Sequence, residues 1–143
     1  MGIDIGPRVI NAGTSLLSVL ISPVRVAAGY PSPAQDYFDG RIDLNEHLIK
    51  DITSTYVVRV SGDSMEGAGI SDGDELIVNR ALDPKDGSVV IAVLDGELTI
   101  KRLRITASGV VLQADNPRYP DIRVPDLSDL VIWGVATRCL HHV

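Results

Sequence analysis

The chain has 143 residues, of which 45% are hydrophobic but only 4% aromatic, and a net charge of −6. This length fits one domain with a core of aliphatic side chains, and the negative charge disfavours a protein that holds nucleic acid through its own field. The single cysteine, Cys139, excludes an internal disulfide and fits a reducing cytoplasm.

No cofactor is predicted. The three histidines and Cys139 lack metal-ligand spacing. The glycine-rich segments match neither a P-loop nor a dinucleotide-binding fingerprint.

Residues 1–28 form an apolar N-terminal segment. Its longest apolar portion, residues 16–26, is interrupted by polar residues and a proline, and it is shorter than the roughly 20 residues of a membrane span. Its charges do not match a signal peptide. We expect either an arm that docks on the body of the protein or a frayed terminus.

A break in composition follows at residues 27–33. Pro31 and Pro33 favour an extended backbone, and Gly29 leaves the preceding carbonyl uncrowded. The small residues at the Ala28–Gly29 peptide bond suit a protease cleft, although ordinary linkers have the same composition.

The elements beyond it are mainly β. One helix is predicted over residues 44–50, with Asp43 as its N-cap and Glu46 in a capping box. Turn dipeptides separate the remaining segments into short strands, which favours a twisted, partly closed β domain. The predicted strands are residues 56–60, 75–79, 88–94, 97–105, 110–114, 122–124 and 130–138.

Ser64 is the candidate nucleophile, because a strand-like run ends there in the small-residue turn Ser61-Gly62-Asp63-Ser64-Met65. A serine hydroxyl needs a base to remove its proton. His47 lies in the predicted helix and the other histidines lie in the C-terminal tail, so no Ser-His-Asp triad is predicted. The nucleophile-elbow pattern also fails, because Glu66 stands where it requires glycine.

Lys101 is the candidate base. Asp95-Gly96 predicts a two-residue hairpin turn that pairs Lys101 with Val90, and Lys101 then shares a face with Val90, Ala92, Thr99 and Leu103. The uncharged arm 88–94 is expected to be buried on both faces.

Burial next to that arm desolvates the amine. Lowering the lysine pKa from about 10.4 to about 7 requires roughly 4 to 5 kcal/mol, and the neutral amine could then accept the proton of Ser64. From these residues alone, a structural turn and a surface lysine that snorkels remain alternatives.

Several further motifs occur in a characteristic order. They are Ala28-Gly29 followed by Tyr30-Pro31-Ser32-Pro33-Ala34-Gln35-Asp36-Tyr37, Arg41-Ile42-Asp43-Leu44-Asn45, the Ser64 turn, Ile70-Ser71-Asp72-Gly73-Asp74, Asp95-Gly96-Glu97-Leu98-Thr99-Ile100-Lys101, Asn116-Pro117-Arg118-Tyr119-Pro120 and Trp133-Gly134-Val135. From about Ala27 to Val135, the chain resembles the UmuD branch of the LexA-like self-cleaving serine peptidases.

This resemblance implies a catalytic domain of several short, strongly twisted sheets with one short helix. It implies that Ser64 attacks the carbonyl of Ala28 and that Lys101 acts first as base and then as acid. The backbone amides of Asp63 and Ser64 would form the oxyanion hole. Cleavage between Ala28 and Gly29 would separate the arm, residues 1–28, from a peptidase domain, residues 29–143.

The resemblance also implies a role in the SOS response to DNA damage. A RecA filament on single-stranded DNA would stimulate cleavage, and the processed homodimer would join a UmuC-like Y-family polymerase as the accessory subunit of DNA polymerase V. We expect a cytoplasmic protein without strong direct nucleic-acid binding or membrane contact. Residues 1–28 contain two prolines and cannot form the helix-turn-helix head of a repressor.

Two alternatives remain at this point. One is an interaction module with the same fold but no catalysis, and the other is a signal-peptidase-like protease, which needs a membrane anchor. Ala28 departs from the cysteine that some UmuD proteins carry there, and neither the arm nor residues 139–143 align. The sequence leaves open cis or trans cleavage and the dimer interface, for which an exposed strand edge or the strand around Trp133 is plausible.

Overall fold

The computed structural model describes residues 3–9, 19–20, 26, 28–29, 41–125 and 129–143. The chain divides into two compact units, one of Met1–Ile10 with Asp51–Val143 and one of Asn11–Lys50. Their strands are β1 (Ile3–Val9), β2 (Val19–Leu20), β3 (Arg41–Ile42), β4 (Thr55–Val60), β5 (Glu75–Asn79), β6 (Val89–Leu94), β7 (Glu97–Thr106), β8 (Gly109–Gln113), β9 (Ile122–Val124) and β10 (Leu130–Leu140).

The smaller unit contains the α-helix of the described residues, α1 (Leu44–Leu48), next to the antiparallel pair β2 and β3. The carboxylate of Asp43 caps α1 by accepting a 2.9 Å hydrogen bond from the amide of Asn45, as predicted. The helix ends two residues before the predicted boundary, because Ile49 is extended at φ −119 and ψ 111. Of the linker predicted over residues 27–33, Ala28 and Gly29 are described and exposed, and the rest lies outside the described residues.

The larger unit is built on an eight-stranded sheet with the order β1-β4-β5-β10-β6-β7-β8-β9. Its neighbouring strands are antiparallel throughout. β10 is central and shifts register against both neighbours, between Ala136 and Arg138 on one side and between Ile132 and Gly134 on the other. Such irregularities bend a strand and increase its twist, which fits the expected twisted β domain.

The predicted hairpin is confirmed, including its register. Asp95 and Gly96 have φ values of 52° and 76°, the positive angles that a type I′ turn requires. Lys101 therefore lies opposite Val90, and Ala92 lies opposite Thr99.

β6 is buried on both faces, as its uncharged sequence predicts. Ile91 belongs to one hydrophobic cluster, whereas Val90 and Ala92 belong to a second. Successive side chains of a strand point to opposite faces, so each face of β6 is covered by its own cluster. Lys101, opposite Val90, thus lies in the interior of the larger unit.

Over the residues that the structure describes, the predicted mainly β fold with one short α-helix is confirmed. The strands that we expected in several short sheets are hydrogen-bonded in one continuous order of eight and a separate pair. β1 was not predicted as a strand, because Pro7 interrupts it. Proline has no N–H to donate to a ladder, so it is tolerated mainly at sheet edges and bulges. β1 is an edge strand, and its register against β4 is irregular between Asp4 and Arg8.

Candidate active site

Ser64 lies in the turn that follows β4. Gly62 has a φ of 100°, a conformation open to glycine, and its amide donates a 2.7 Å hydrogen bond to Oδ1 of Asp72. A 3₁₀ turn over Glu66–Ala68 follows directly. The serine is therefore held between a glycine bend and a helical turn, and its residue surface is only 4% exposed.

Lys101 reaches this serine from β7. Its Nζ lies 3.3 Å from Oγ of Ser64, and the lysine is 5% exposed. The structure thus brings together two residues that are 37 positions apart in sequence. The predicted hairpin register accounts for the contact, because it directs Lys101 to the inner face.

The other partners of Nζ fix its orientation. Nζ lies 2.9 Å from Oγ1 of Thr99 and 3.1 Å from the carbonyl oxygen of Ile100. A neutral amine has two N–H donors and one lone pair, and the two oxygens can accept both donors. The lone pair is then left to accept the O–H of Ser64. This arrangement is the one that proton transfer from the serine requires.

Burial also favours the neutral amine. Desolvation lowers the pKa of Lys101 below its usual 10.5. The described part of the chain places no carboxylate in a salt bridge with this amine. The direction of the shift agrees with the sequence-based expectation.

Asp63, the residue before the serine, is held by the segment that follows β8. The side-chain amide of Asn116 donates a 2.9 Å hydrogen bond to the Asp63 carbonyl. The hydroxyl of Tyr119 and the guanidinium of Arg118 donate to its two carboxylate oxygens. The hydrogen bond from Tyr119 and the charge of Arg118 lower the pKa of Asp63, although partial burial opposes the shift.

Asp115 holds the other side of the serine turn. Its carbonyl oxygen accepts a 2.6 Å hydrogen bond from the amide of Gly67, and its own amide lies 3.5 Å from Sδ of Met65. Its carboxylate binds Arg102 through Nε at 2.9 Å and Nη2 at 2.6 Å. Arg102 is the neighbour of Lys101 on β7, so one loop residue connects the strand of the lysine to the turn of the serine.

A pocket of about 240 Å³ opens beside Lys101. It is lined by Leu94, Glu97, Leu98, Thr99, Lys101, Tyr119, Pro120 and Ile122. Mainly apolar walls with a few polar groups are typical of a site that holds an extended chain or a small ligand.

A second polar cluster lies at the end of β10. Asp74 is buried, and its carboxylate contacts Sγ of Cys139 at 3.2 Å and Nδ1 of His141 at 2.6 Å, and also accepts from the amide of Ser71 at 2.8 Å. Burial opposes ionisation of Asp74, but the hydrogen bonds from Ser71, His141 and Cys139 lower its pKa overall. Burial first, and then the contact with Asp74, raise the pKa of Cys139 to about 11.

The sequence-predicted site residues thus fall into two groups. Ser64, Lys101 and Asp63 meet in the larger unit, whereas Ala28 and Gly29 are exposed residues of the smaller one. The catalytic roles of these residues remain predictions. Sequence reasoning assigned no role to Asp115, Asn116 or Tyr119. The motif Asn116-Pro117-Arg118-Tyr119-Pro120 was noted for the resemblance, but a motif does not show which distant backbone it contacts.

Within the ranges that the structure describes, no group of three or more histidine, cysteine or acidic side chains is placed to hold a metal ion. No helix among the described residues has the length and apolar character to cross a membrane.

A serine hydroxyl beside a buried amine in a mainly β fold is typical of serine peptidases that use lysine in place of histidine. The sequence model of the family described as "Peptidase S24-like" matches residues 19–137. The chain belongs to this family of serine peptidases.

Individual relatives support the same assignment. The chain is 41% identical to Protein SamA of Salmonella typhimurium over 117 residues, which are 82% of this chain and 81% of that protein. It is 40% identical to Protein MucA of Escherichia coli over 81% of this chain and 80% of the relative. It is 43% identical to the LexA repressor of Delftia acidovorans over 85% of this chain but only 55% of the repressor.

These similarities confirm the resemblance to UmuD-type and LexA-like proteins. At the level of the family, the function is that of self-cleaving serine peptidases connected with the SOS response.

Proposed function

We propose that this protein is a Ser-Lys peptidase that cuts its own chain between Ala28 and Gly29. The observation that carries the proposal is the 3.3 Å separation of Lys101 Nζ and Ser64 Oγ in a buried site. Membership of the peptidase family supports it independently. An interaction module without catalysis would have no need of a desolvated amine, which burial makes costly to keep charged.

The first half of the reaction uses Lys101 as a base. Its neutral amine takes the proton of Ser64 while Oγ attacks the carbonyl carbon of Ala28, and the carbonyl becomes a tetrahedral oxyanion. The ammonium of Lys101 then gives this proton to the nitrogen of Gly29. The C–N bond breaks, and the arm stays attached to Ser64 as an ester.

The second half releases the arm. Water gives a proton to Lys101 and attacks the ester carbonyl, and Ser64 regains its proton as the C–O bond breaks. The net result is hydrolysis of one peptide bond by one water molecule, with the site restored. Thr99 and the carbonyl of Ile100 can keep the amine oriented through both halves, because they also accept hydrogen bonds from its charged form.

The oxyanion needs donors on the serine turn. We assign them to the backbone amides of Asp63 and Ser64, because residues next to the nucleophile present their N–H groups to the attacked carbonyl.

Cleavage would separate residues 1–28 from residues 29–143. The released piece contains β1, which is hydrogen-bonded to β4 at the edge of the large sheet. Loss of β1 would leave the outer edge of β4 open, and an open edge readily pairs with another chain. Self-cleavage would then act as a switch that changes which surface the body presents.

The proposed cellular role rests on the resemblance to UmuD-like proteins. We assign to this chain stimulation by a RecA filament on single-stranded DNA, and a processed homodimer that joins a UmuC-like Y-family polymerase for error-prone bypass of DNA lesions. Support comes from the family resemblance and from the coverage of SamA and MucA over about four fifths of their length.

The test of the peptidase proposal is spontaneous cleavage of the purified protein. Incubation at alkaline pH should yield a fragment that begins at Gly29, identified by N-terminal sequencing. The Ser64→Ala variant is the matched control and should remain intact. A wild-type chain that also stays intact, with or without an activated RecA filament, would support the interaction module instead.

A further inference from the structure

The segment from Asp115 to Tyr119 contacts the serine turn on both sides of the nucleophile. On one side, Asn116, Arg118 and Tyr119 bind the carbonyl and carboxylate of Asp63. On the other side, the carbonyl of Asp115 accepts from the amide of Gly67. Ser64 lies between these attachments, so its backbone position depends on a segment that is about fifty residues away in sequence.

This segment is itself well fixed. Asn116 is 8% exposed, its Oδ1 accepts a 3.0 Å hydrogen bond from the amide of Arg118, and its carbonyl accepts at 3.0 Å from the amide of Tyr119. Arg102 holds the preceding Asp115 from β7. The segment is held by its own hydrogen bonds and by Arg102 on the strand of Lys101. It can therefore fix the position of the serine turn that it contacts.

Tyr119 also contacts the pocket beside Lys101. Its side chain lines the pocket beside Lys101, while its hydroxyl donates to Asp63. A chain bound in the pocket would therefore press on the same side chain that holds the residue before the nucleophile. Tyr119 connects the wall of the pocket to the serine turn.

We propose that Asp63 and Tyr119 form a positioning pair, which holds Ser64 Oγ in line with Lys101 Nζ and couples that alignment to the pocket wall. The inference rests on the proposed peptidase function. Neither residue takes part in bond making or breaking. Their contribution is geometric, and a displacement of about 1 Å at a reacting atom can lower a rate by roughly 100-fold.

The protonation of the pair suits this role. The hydrogen bond from Tyr119 lowers the pKa of Asp63, and the same contact raises the pKa of Tyr119. The contact therefore favours a protonated Tyr119 and a charged Asp63, which is the state in which the tyrosine hydroxyl donates to the carboxylate.

The test compares Tyr119→Phe with Tyr56→Phe, which removes a hydroxyl from a tyrosine that packs on Trp133. The first-order rate of self-cleavage is measured from about pH 7 to about pH 10. The melting temperature of each variant is measured before cleavage has begun. Tyr119→Phe should lower the plateau rate roughly 10- to 100-fold, without moving the midpoint of the pH profile. Tyr56→Phe should leave both unchanged.

A double variant shows whether the tyrosine acts through the aspartate. Asp63→Ala should slow cleavage, and adding Tyr119→Phe should slow it no further, because residues that act as one unit are not additive. If Tyr119→Phe has the same effect in the Asp63→Ala background as in the wild type, the pair is wrongly assigned.

Labelling of Ser64 by a small fluorophosphonate provides a readout that does not need the arm in the pocket. We expect Tyr119→Phe to label more slowly than the wild type. Labelling reports on Ser64 directly, so this result would hold even if Tyr119→Phe or Asp63→Ala changed how the arm binds. If the wild type cleaves and Tyr119→Phe cleaves and labels at the wild-type rate, the positioning pair is refuted and the peptidase stands. If the wild type neither cleaves nor labels, both proposals fall.

Discussion

Lys101 Nζ lies 3.3 Å from Ser64 Oγ, although the lysine lies on β7 and the serine in the turn that follows β4. The β6–β7 hairpin directs the lysine inward, and the loop after β8 holds the serine turn against it. The resulting pair is buried, so water competes poorly for either group.

The rate of self-cleavage should rise with pH. Desolvation lowers the pKa of Lys101, and only the neutral amine can act as a base. We expect the first-order rate to increase about tenfold per pH unit below that pKa and to level off above it, at a pH below 10.5. The measurement is the fraction of intact chain against time at each pH; a flat rate from about pH 7 to about pH 10 would remove Lys101 as the base.

Removal of either group should stop the reaction without unfolding the protein. Lys101→Ala should reduce cleavage by roughly 10²- to 10⁴-fold, the usual contribution of a general base, and Ser64→Ala should abolish it because the attacking oxygen is gone. Circular dichroism checks that both variants keep the β fold. Normal cleavage by either one would show that its role is wrongly assigned.

Lys101 should make folding stability depend on pH. Its folded pKa is lowered while its unfolded value is the usual one, so the unfolded state binds more protons between those two values. Stability must then rise with pH across that window. We expect this slope in Ser64→Ala, which stays uncleaved, and its loss in Ser64→Ala with Lys101→Met.

Chemical denaturation at several pH values provides the measurement. The double variant should also be at least as stable as Ser64→Ala near neutral pH, because methionine removes the cost of burying a charge. Parallel pH dependences of the two proteins would show that Lys101 is not desolvated in the folded state.

Gly67→Ala should slow cleavage by disturbing the attachment of the serine turn. A Cβ at Gly67 would lie 2.5 Å from the carbonyl oxygen of Asp115, so the backbone must shift and lengthen the 2.6 Å hydrogen bond. Gly134→Ala is a matched control, because its Cβ would lie 2.5 Å from Cγ1 of Val78 in the core.

We expect the Gly134 variant to lower the melting temperature and keep the plateau rate, and the Gly67 variant to lower the plateau rate roughly 10-fold or more. Equal plateau rates for Gly67→Ala and the wild type would show that the hydrogen bond between Gly67 and Asp115 does not position the serine turn.

Cys139 should behave as an unreactive thiol. Burial and the contact with Asp74 raise its pKa to about 11, and the thiolate is the reactive form. Its thiolate fraction near pH 8 is then about 100-fold below that of a thiol with a pKa of about 9. Modification by a disulfide reagent should be slow in the folded protein, faster in Asp74→Asn, and fast in denaturant. If Cys139 were modified as fast in the folded protein as in denaturant, it would not be a buried thiol with a raised pKa.

Local patterns in the sequence were enough to predict the position of Lys101. The Asp95-Gly96 turn sets the pairing of Val90 with Lys101, and the alternation of a strand sets which face the lysine occupies. The absence of charge in β6 indicated burial on both faces. These are short-range rules, and they place the amine without knowledge of the rest of the fold.

The attachments of the serine turn could not be predicted in this way. Asn116 and Asp63 are 53 positions apart, and nothing in either sequence neighbourhood specifies the other. The same holds for Arg102, on the face opposite Lys101, because nothing in the sequence around it specifies its ion pair with Asp115. The β1 strand was not predicted because it contains Pro7. Proline within a strand is tolerated mainly at a sheet edge, and the sequence does not show that β1 is an edge strand.

Intact-mass spectrometry of the purified chain after alkaline incubation tests the central claim most directly. The account predicts that the wild type gives two products, residues 1–28 and residues 29–143, and that Ser64→Ala gives neither. An undivided wild-type chain of 143 residues, or cleavage at any other bond, would contradict it.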